Sequence, residues 1–280
     1  YQNGNESQRV AYLPDLCSGK KLGGMAMSEP GYGSDAMGLE TRAAKKGDRY
    51  LLKGRKMFIT NGTVGDIFVV YARTDDAISS FIVERDFQGF SVGKKLSKLG
   101  MRGSPTAELL FDQCEVPERN LLGALHRGAA QMKKTLDVER VTISGISLGI
   151  AQAALEDSLG YAKDRQQFQT PIIEFQLVQK MVADIYTGLQ AARTLTYHAA
   201  AVASAGGDAT ALASACKLYS SEMATQAALH AIQIFGGYGY CKDYNVERYL
   251  RDAKLMEIGA GTSEVQRLII ARELSKKGLR

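Results

Sequence analysis

The stretch from Lys254 to Glu273, KLMEIGAGTSEVQRLIIARE, sets Gly259-Ala260-Gly261 between an apolar run and a strongly helical one. Thr262, with Ser263 and Glu264 behind it, supplies the side chains that cap a helix start, so the first N–H groups of that helix stand beside three small residues. Such a start can hold an anion, and the same cap also serves helices that bind nothing. Other chemistry-bearing side chains are dispersed. Cys17, Cys114, Cys216 and Cys241 lie far apart, with no CxxC pair and no histidine at ligand spacing. Neither a disulfide framework nor a metal site is expected, and free, mostly buried thiols are. On its own Glu139, near Asp137 and Arg140 in TLDVERVTISG, reads as a helix-surface acid, Arg165 as a dipole partner or surface charge, and EPGYGSD as a polar turn.

These residues need a scaffold, and the chain can build one. With 280 residues, 45% of them hydrophobic and 23% charged, it can bury one large core or two moderate ones. No window approaches the roughly 18 uninterrupted apolar residues of a membrane span. The start YQNGNESQRV lacks the charged-then-apolar order of a signal peptide, so a soluble, intracellular protein is expected. The net charge of +5 is mild, and the basic residues are spread out apart from KKLSK (Lys94 to Lys98) and the tail KKGLR. Nucleic-acid binding needs a denser basic face with interleaved aromatics and is not expected. A modest positive bias suits a small polyanion such as a nucleotide-bearing substrate, or a solvated face.

The texture of the chain changes near residue 126. Between Gly23 and Leu125, short apolar or alternating runs are punctuated by glycine, as in RYLLKGRKMFITNG, DIFVVYARTD, SSFIVERDFQGFSV and TAELLFDQCEVP. These predict strands of an antiparallel β-sandwich or barrel. After His126, apolar residues recur every three or four positions and predict four helices, three of them long, in an antiparallel bundle. The fold class is therefore α+β, with a β domain over 23–125 and a C-terminal helical bundle over 126–280. Thr170-Pro171, Ala205-Gly206-Gly207-Asp208 and Gly236-Gly237 supply the helix breaks. A helix of about 35 residues spans roughly 50 Å. That is more than a small domain needs, and it predicts packing against a second chain.

Six strings then occur in order: AMSEPGYGSD (Ala26 to Asp35), KMFITNG (Lys56 to Gly62), KLGMRGSPTAELLFDQCEVP (Lys98 to Pro117), DRQQFQTPI (Asp164 to Ile172), QIFGGYGY (Gln233 to Tyr240) and RDAKLMEIGAGTSEVQRLIIARE (Arg251 to Glu273). Together they resemble the acyl-CoA dehydrogenases, flavoproteins that desaturate acyl-CoA thioesters. The resemblance covers almost all of the chain. It implies a preceding helical domain of about a hundred residues. SQRVAYLPDLCSGK resembles the last part of that domain, so residues 1–22 are expected to be its remnant.

The family's reaction removes a proton from the carbon α to a thioester carbonyl while hydride leaves the β carbon for flavin N5. It needs a carboxylate base, donors to the carbonyl oxygen and a flavin held flat over the bond. By resemblance, the flavin is FAD. The backbone and hydroxyls of Met27, Ser28 and Thr60 reach the isoalloxazine, Phe58 covers one face where tryptophan is often found, and Gly33 with Ser34 approaches the pyrophosphate. Ser34 is implied at the substrate as well, and Thr262 and Glu264 as further cofactor contacts. Arg165 and Phe168, with Gln233, Gly236 and Gly237, resemble residues that meet the adenine end of an FAD bound mostly by a neighbouring subunit. This implies assembly, and the family habit is a homotetramer.

In many members the position of Ala260 carries the catalytic glutamate, and a methyl group cannot accept a proton. Isovaleryl-CoA and long-chain acyl-CoA dehydrogenases place that glutamate on the first long helix of the bundle, directly before an arginine. Glu139-Arg140 resembles that pair, which implies Glu139 as the base and Arg140 beside the substrate, while the Ala260 N–H still serves the thioester oxygen. Gly259, where straight-chain members often have a bulky aromatic, and Gly261 leave room at the acyl group. The resemblance therefore implies a short branched acyl-CoA such as isovaleryl-CoA, with electrons passing to an electron-transferring flavoprotein. It leaves open a long-chain or citronellyl-type enzyme, an oxidase that hands electrons to oxygen, and a flavin-poor assembly module. The compartment would be the cytoplasm of a bacterium or the mitochondrial matrix of a eukaryote.

Overall fold

The alternating runs fold as strands in the computed structural model of the chain, which describes residues 1–277. They are β1 (Gly23–Ala26), β2 (Arg42–Lys46), β3 (Arg49–Thr60), β4 (Ile67–Thr74), β5 (Ala77–Glu84), β6 (Phe90–Lys95) and β7 (Thr106–Pro117). All seven join one sheet, ordered β1-β4-β2-β3-β7-β6, with β5 on β4. The run SSFIVERDFQGFSV yields two strands, because a turn closed by Phe87 N–H to Glu84 O and by Gly89 at φ +84° separates them. Inward-facing Leu52, Phe68, Val70, Phe81, Val83, Leu109 and Val116 make a single core of buried aromatic and aliphatic side chains.

Four ladders are antiparallel, and β1 and β2 pair with β4 in parallel. The sequence GGMA of β1 and RAAKK of β2 carry little strand signal, which is why neither strand is expected from sequence. Their arrangement matters. One edge of β4 is taken by β5; along the other, Ala26 of β1 sits on Val70 and Arg42 of β2 on Arg73. Residues 27–41 thus leave the sheet and return to the same edge only three positions along it. Gly54, at φ +150°, lies in the bulge of β3, and a Cβ there would come within 2.5 Å of the Thr41 hydroxyl where this excursion ends.

The chain divides into two compact units, one made of Tyr1–Lys98 with Arg102–Lys134, the other of Leu99–Met101 with the chain from Thr135 onward. A helix, α1 (Glu6–Ser18), precedes the sheet, its start closed by a reciprocal Asn5–Gln8 capping box. The bundle consists of α2 (Gly128–Asp164), α3 (Gln176–Ser204), α4 (Thr210–Phe235), α5 (Val246–Ile258) and α6 (Ser263–Lys277) among the described residues. The α+β class read from the sequence holds. On α3 the buried residues Ile185, Leu189, Ala192, Thr196 and Ala199 follow the helical period, and α4 answers with a face of Ala224, Ala227, Ala228 and Ala231. Small side chains on α4 let the backbones approach closely.

The bundle holds one helix more than the four expected. The sequence VERYLRDAKLMEI of α5 forms a short helix of 13 residues that buries Val246, Ala253 and Met256 along one face and gains from the Glu247–Arg251 pair one turn apart. The break expected at Thr170-Pro171 comes earlier. α2 stops at Asp164, and Gln166–Gln167 and Thr170–Pro171 form a miniature hairpin, β8 and β9, turned by Phe168 and Gln169 at φ +50° and +62°. The other two breaks fall where expected, with Gly206 at φ +75° beyond α3 and Gly236 at φ +61° beyond α4. The expectation of mostly buried thiols needs correction. Cys114 and Cys216 are buried, but Cys17 and Cys241 end up exposed, because Cys17 lies in the last turn of α1 and Cys241 in the turn beyond α4, neither facing a core. No described helix is long and apolar enough to cross a membrane. The last three residues of the basic tail KKGLR lie outside the described residues.

Candidate active site

The excursion over residues 27–41 is locked at its base by Glu29. This buried carboxylate accepts the N–H groups of Glu40 (2.7 Å) and Thr41 (3.0 Å) and an ion pair from Lys56 Nζ (2.8 Å). Lys56 is fully buried, and Nζ also donates to the Met27 carbonyl at 3.1 Å. Burial alone would raise the Glu29 carboxyl, but the bonds from Lys56, Thr41 and Glu40 outweigh it and hold it below its usual value. Burial pushes the Lys56 ammonium down to about 8 against the pull of Glu29. The Ser28 carbonyl is taken by the Met57 N–H at 2.8 Å.

The lock uses the Met27 and Ser28 carbonyls and leaves free other groups assigned to the cofactor. Phe58 stands 66% exposed at φ +63° in a bulge of β3, an aromatic face with no ring packed on it among the described residues. The hydroxyls of Ser28, Ser34 and Thr60 enter no hydrogen bond among the described residues. Gly33 and Ser34 are exposed, and a Cβ on Gly33 would meet no protein atom within 4 Å. Gly33 therefore answers neither to crowding nor to a left-handed backbone. An uncovered aromatic, free hydroxyls and an open glycine are what a flat ring system with a pyrophosphate requires, so these residues fit FAD.

In the bundle, the Glu139-Arg140 turn of α2 comes beside the 259–261 loop. Arg140 is buried; its Nη1 donates to Asp137 Oδ1 at 2.9 Å and its Nε reaches the Ala260 carbonyl at 3.4 Å. Asp137 Oδ2 in turn accepts the Thr210 hydroxyl at 2.9 Å. The guanidinium is thus committed, and Glu139 is left out. Its Oε2 is buried with no hydrogen-bond partner, and it joins no ion pair among the described residues. Burial raises the Glu139 carboxyl, opposed by the nearby Arg140 charge.

Ala260 occupies the left-handed region at φ +55°, which costs a non-glycine residue about 1–2 kcal/mol. Its carbonyl accepts Gln266 Nε2 at 3.0 Å, and the Gly261 carbonyl accepts Gln266 Nε2 and Lys217 Nζ, each at 2.8 Å. The N–H groups of Ala260 and Gly261 meet no acceptor among the described residues. Gly261, at φ +89°, also needs its lack of a side chain, since a Cβ would come within 2.8 Å of the Gln266 amide. Gly259 is different. Its φ of −69° suits any residue, and a Cβ there would make one ordinary contact, with the Leu255 carbonyl at 3.5 Å. The Thr262 hydroxyl accepts the Val265 N–H at 3.3 Å and caps α6, and Glu264 in that first turn is held below its usual value by its own backbone N–H and by Thr262.

A third set gathers at the end of α4. Arg165, Gly236 and Gly237 line an open groove of ≈ 530 Å³ with Tyr161, Phe235 and Tyr238, and the Arg165 guanidinium lies 5.8 Å above the Tyr238 ring. Phe168 is 92% exposed at the hairpin tip and Gln233 is exposed on α4, both outside the residues lining this groove. Sequence reasoning did not single out Glu29, Lys56, Lys217 or Gln266. A signal existed for Lys217, which interrupts the small-residue face of α4 between Ala213 and Ala224. Lys56 sits in phase with buried Leu52 and Tyr50 on β3, but the bulge between them obscures the alternation.

Residues 126–275 match the family described as acyl-CoA dehydrogenase, C-terminal domain, and residues 24–114 its middle domain. A mitochondrial isovaleryl-CoA dehydrogenase of Pongo abelii is 48% identical over 97% of this chain and 66% of its own length. An acyl-CoA dehydrogenase of Bacillus subtilis is 50% identical over 97% of this chain and 73% of its own. The butyryl-CoA dehydrogenase of Megasphaera elsdenii superposes with a TM-score of 0.96 at 41% identity, covering 98% of this chain and 73% of that one. This chain thus spans about two thirds to three quarters of such relatives. Homologues in this group are FAD-dependent enzymes. With both domain types matched in order, and with relatives 48% and 50% identical over nearly all of it, the chain belongs to the acyl-CoA dehydrogenase family.

Proposed function

We propose that this chain carries out FAD-dependent α,β-dehydrogenation of a short branched acyl-CoA, isovaleryl-CoA in the first instance. The observation that supports this most is the buried, unpartnered Glu139 Oε2, on the turn of α2 whose Arg140 reaches a loop that carries a methyl group at the family's base position. FAD would be held by Met27, Ser28, Gly33, Ser34, Phe58 and Thr60, by Thr262 and Glu264 at the start of α6, and by Arg165, Phe168, Gln233, Gly236 and Gly237 of a neighbouring copy in a homotetramer. When bound, it supplies the acceptor for the β-hydride, and an electron-transferring flavoprotein would reoxidise it. The setting would be the mitochondrial matrix in a eukaryote or the cytoplasm in a bacterium, the first in keeping with the mitochondrial relative named above.

Glu139 takes the α proton. Its desolvated carboxylate is a stronger base than an exposed one, because charge is less stable there. The Ala260 N–H donates to the thioester oxygen as negative charge grows on it, and Arg140, hydrogen-bonded to Asp137, offsets through its charge only part of the rise that burial gives Glu139. Removing a donor of this kind costs roughly 10²–10³-fold in turnover. Ala260→Pro removes the N–H and demands φ near −65° where the loop has +55°, so it is expected to lose at least that factor. Ala260→Ser keeps both and should stay within a few-fold of wild type. Single-turnover flavin reduction distinguishes them.

Space at Gly259 supports the branched substrate, since neither backbone conformation nor crowding demands glycine there. The test is an oxygen-free titration with isovaleryl-CoA, butyryl-CoA and a long-chain acyl-CoA, following loss of the yellow flavin absorbance. Wild type should bleach fastest with isovaleryl-CoA, and Gly259→Phe should shift the preference to butyryl-CoA by roughly 10–200-fold, the range a methylene-sized change in a pocket commands. Fastest bleaching by the long chain would replace the branched-acyl assignment.

A further inference from the structure

Ala260 is held in a conformation that alanine resists, so something outside the loop must hold it there. The holders are visible. Lys217 on α4, Gln266 on α6 and Arg140 on α2 bring four donor contacts to the carbonyls of Ala260 and Gly261. In a trans peptide the C=O and the following N–H point in opposite directions. Fixing the Ala260 carbonyl toward Gln266 therefore aims the Gly261 N–H away from it, and fixing the Gly261 carbonyl toward Lys217 does the same for Thr262. These two planes flank Gly261, and on the other side the Gly259 N–H, donated to the Leu255 carbonyl at 2.9 Å, fixes the plane before Gly259. The Gly259–Ala260 plane, which carries the Ala260 N–H, is therefore held between fixed neighbours.

Lys217 and Gln266 make poor sense as packing alone. They are 1% and 0% exposed, and Gln266 Oε1 is buried without a partner. The Lys217 ammonium bonds to a neutral carbonyl, not a carboxylate; burial pushes it down to about 8, with Arg140 adding to that and the more distant charges of Glu257, Glu222 and Glu264 opposing it. A methionine would fill the same volume without a desolvated charge. We propose that Lys217 and Gln266 are positioning residues that hold the 259–261 loop so that the Ala260 N–H faces the thioester carbonyl oxygen. This rests on the acyl-CoA reading above.

The test uses the FAD-loaded protein as wild type, Lys217→Met and Gln266→Met. Two quantities are measured without oxygen: the rate of flavin bleaching by isovaleryl-CoA, and the Kd of the matching isopentyl-CoA thioether, which has no carbonyl oxygen. Both variants should bleach roughly 10–100-fold more slowly, up to the loss of one carbonyl donor, while thioether affinity stays unchanged. Wild-type bleaching rates in both variants would overturn the proposal, and so would a loss of thioether affinity as large as the loss of rate, which is the mark of general damage. If Lys217→Met does not yield folded holoprotein, Gln266→Met carries the same comparison. A wild type that no acyl-CoA bleaches would overturn the functional reading and this proposal together; a wild type that bleaches beside unaffected variants overturns this proposal alone.

Discussion

Glu139→Gln should lower the rate of flavin reduction by isovaleryl-CoA roughly 10²–10⁴-fold, the usual contribution of a positioned general base, and leave acyl-CoA binding close to wild type. The same substitution should make the protein more stable at neutral pH. Both effects come from one oxygen atom. Glu139 Oε2 is buried with no partner, and the adjacent guanidinium is turned to Asp137 and Ala260. Burial raises its pKa above the ordinary carboxylate value, so the folded protein favours the protonated form more than the unfolded chain does. Stability from that preference is present below the unfolded carboxylate pKa and is lost as pH rises through the folded one. At pH 7 the wild type carries the uncompensated charge and the amide does not. The gain should be about 0.5–2 kcal/mol, as for other activity-for-stability exchanges, and should vanish below about pH 4, where the unfolded carboxyl is protonated too. Thermal melting at the two pH values checks the stability arm. Wild-type turnover should rise with pH through a pKa above the ordinary carboxylate range, and reduction by Glu139→Gln within ten-fold of wild type would remove Glu139 as the base.

Lys56→Met is expected to destabilise the protein by about 3–5 kcal/mol, because it leaves the buried carboxylate of Glu29 without its cation. Glu29 would keep the N–H groups of Glu40 and Thr41, which are too few to replace an ion pair with both partners out of water. Adding Glu29→Gln to Lys56→Met should recover most of the loss, since a buried pair replaced on both sides is often close to neutral. Urea unfolding of the two single variants and the double variant gives the coupling directly. FAD affinity should separate from stability in this series. The double variant regains its fold but not the full set of bonds that closes the 27–41 excursion, so its cofactor should bind more weakly than in wild type. Recovery of both together would mean that Glu29 serves the fold alone.

The legibility of this chain in its sequence varies with the kind of interaction. Strands β3, β4, β5 and β7 are readable because apolar side chains alternate along them, and α2, α3 and α4 because theirs recur every third or fourth residue. β1 and β2 are not, since they are fixed by pairing with β4 from far along the chain and not by their own glycines, alanines and lysines. In the same way, Glu139 and Ala260 are reached only through resemblance to a family. Nothing local distinguishes Glu139 from any helix-surface acid until Arg140 is seen committed elsewhere. Lys217 and Gln266 escape for a physical reason: each serves a carbonyl on another element, a partnership no spacing records.

The two loops of the molecule differ in how far they can be altered. The 27–41 excursion leaves and re-enters one edge of β4 three positions apart, so its ends are set by the sheet whatever lies between them. For such a closed loop each doubling of length adds only about 0.6 kcal/mol of closure entropy. Its interior can accept insertions and exchanges with little effect on the sheet, provided the Glu29 lock at its base is kept. The 259–261 loop has no such freedom, because its shape is written into side chains on three separate helices. Diversification for new cofactor contacts belongs in the first loop, whereas a graft of the second would have to carry Arg140, Lys217 and Gln266 with it.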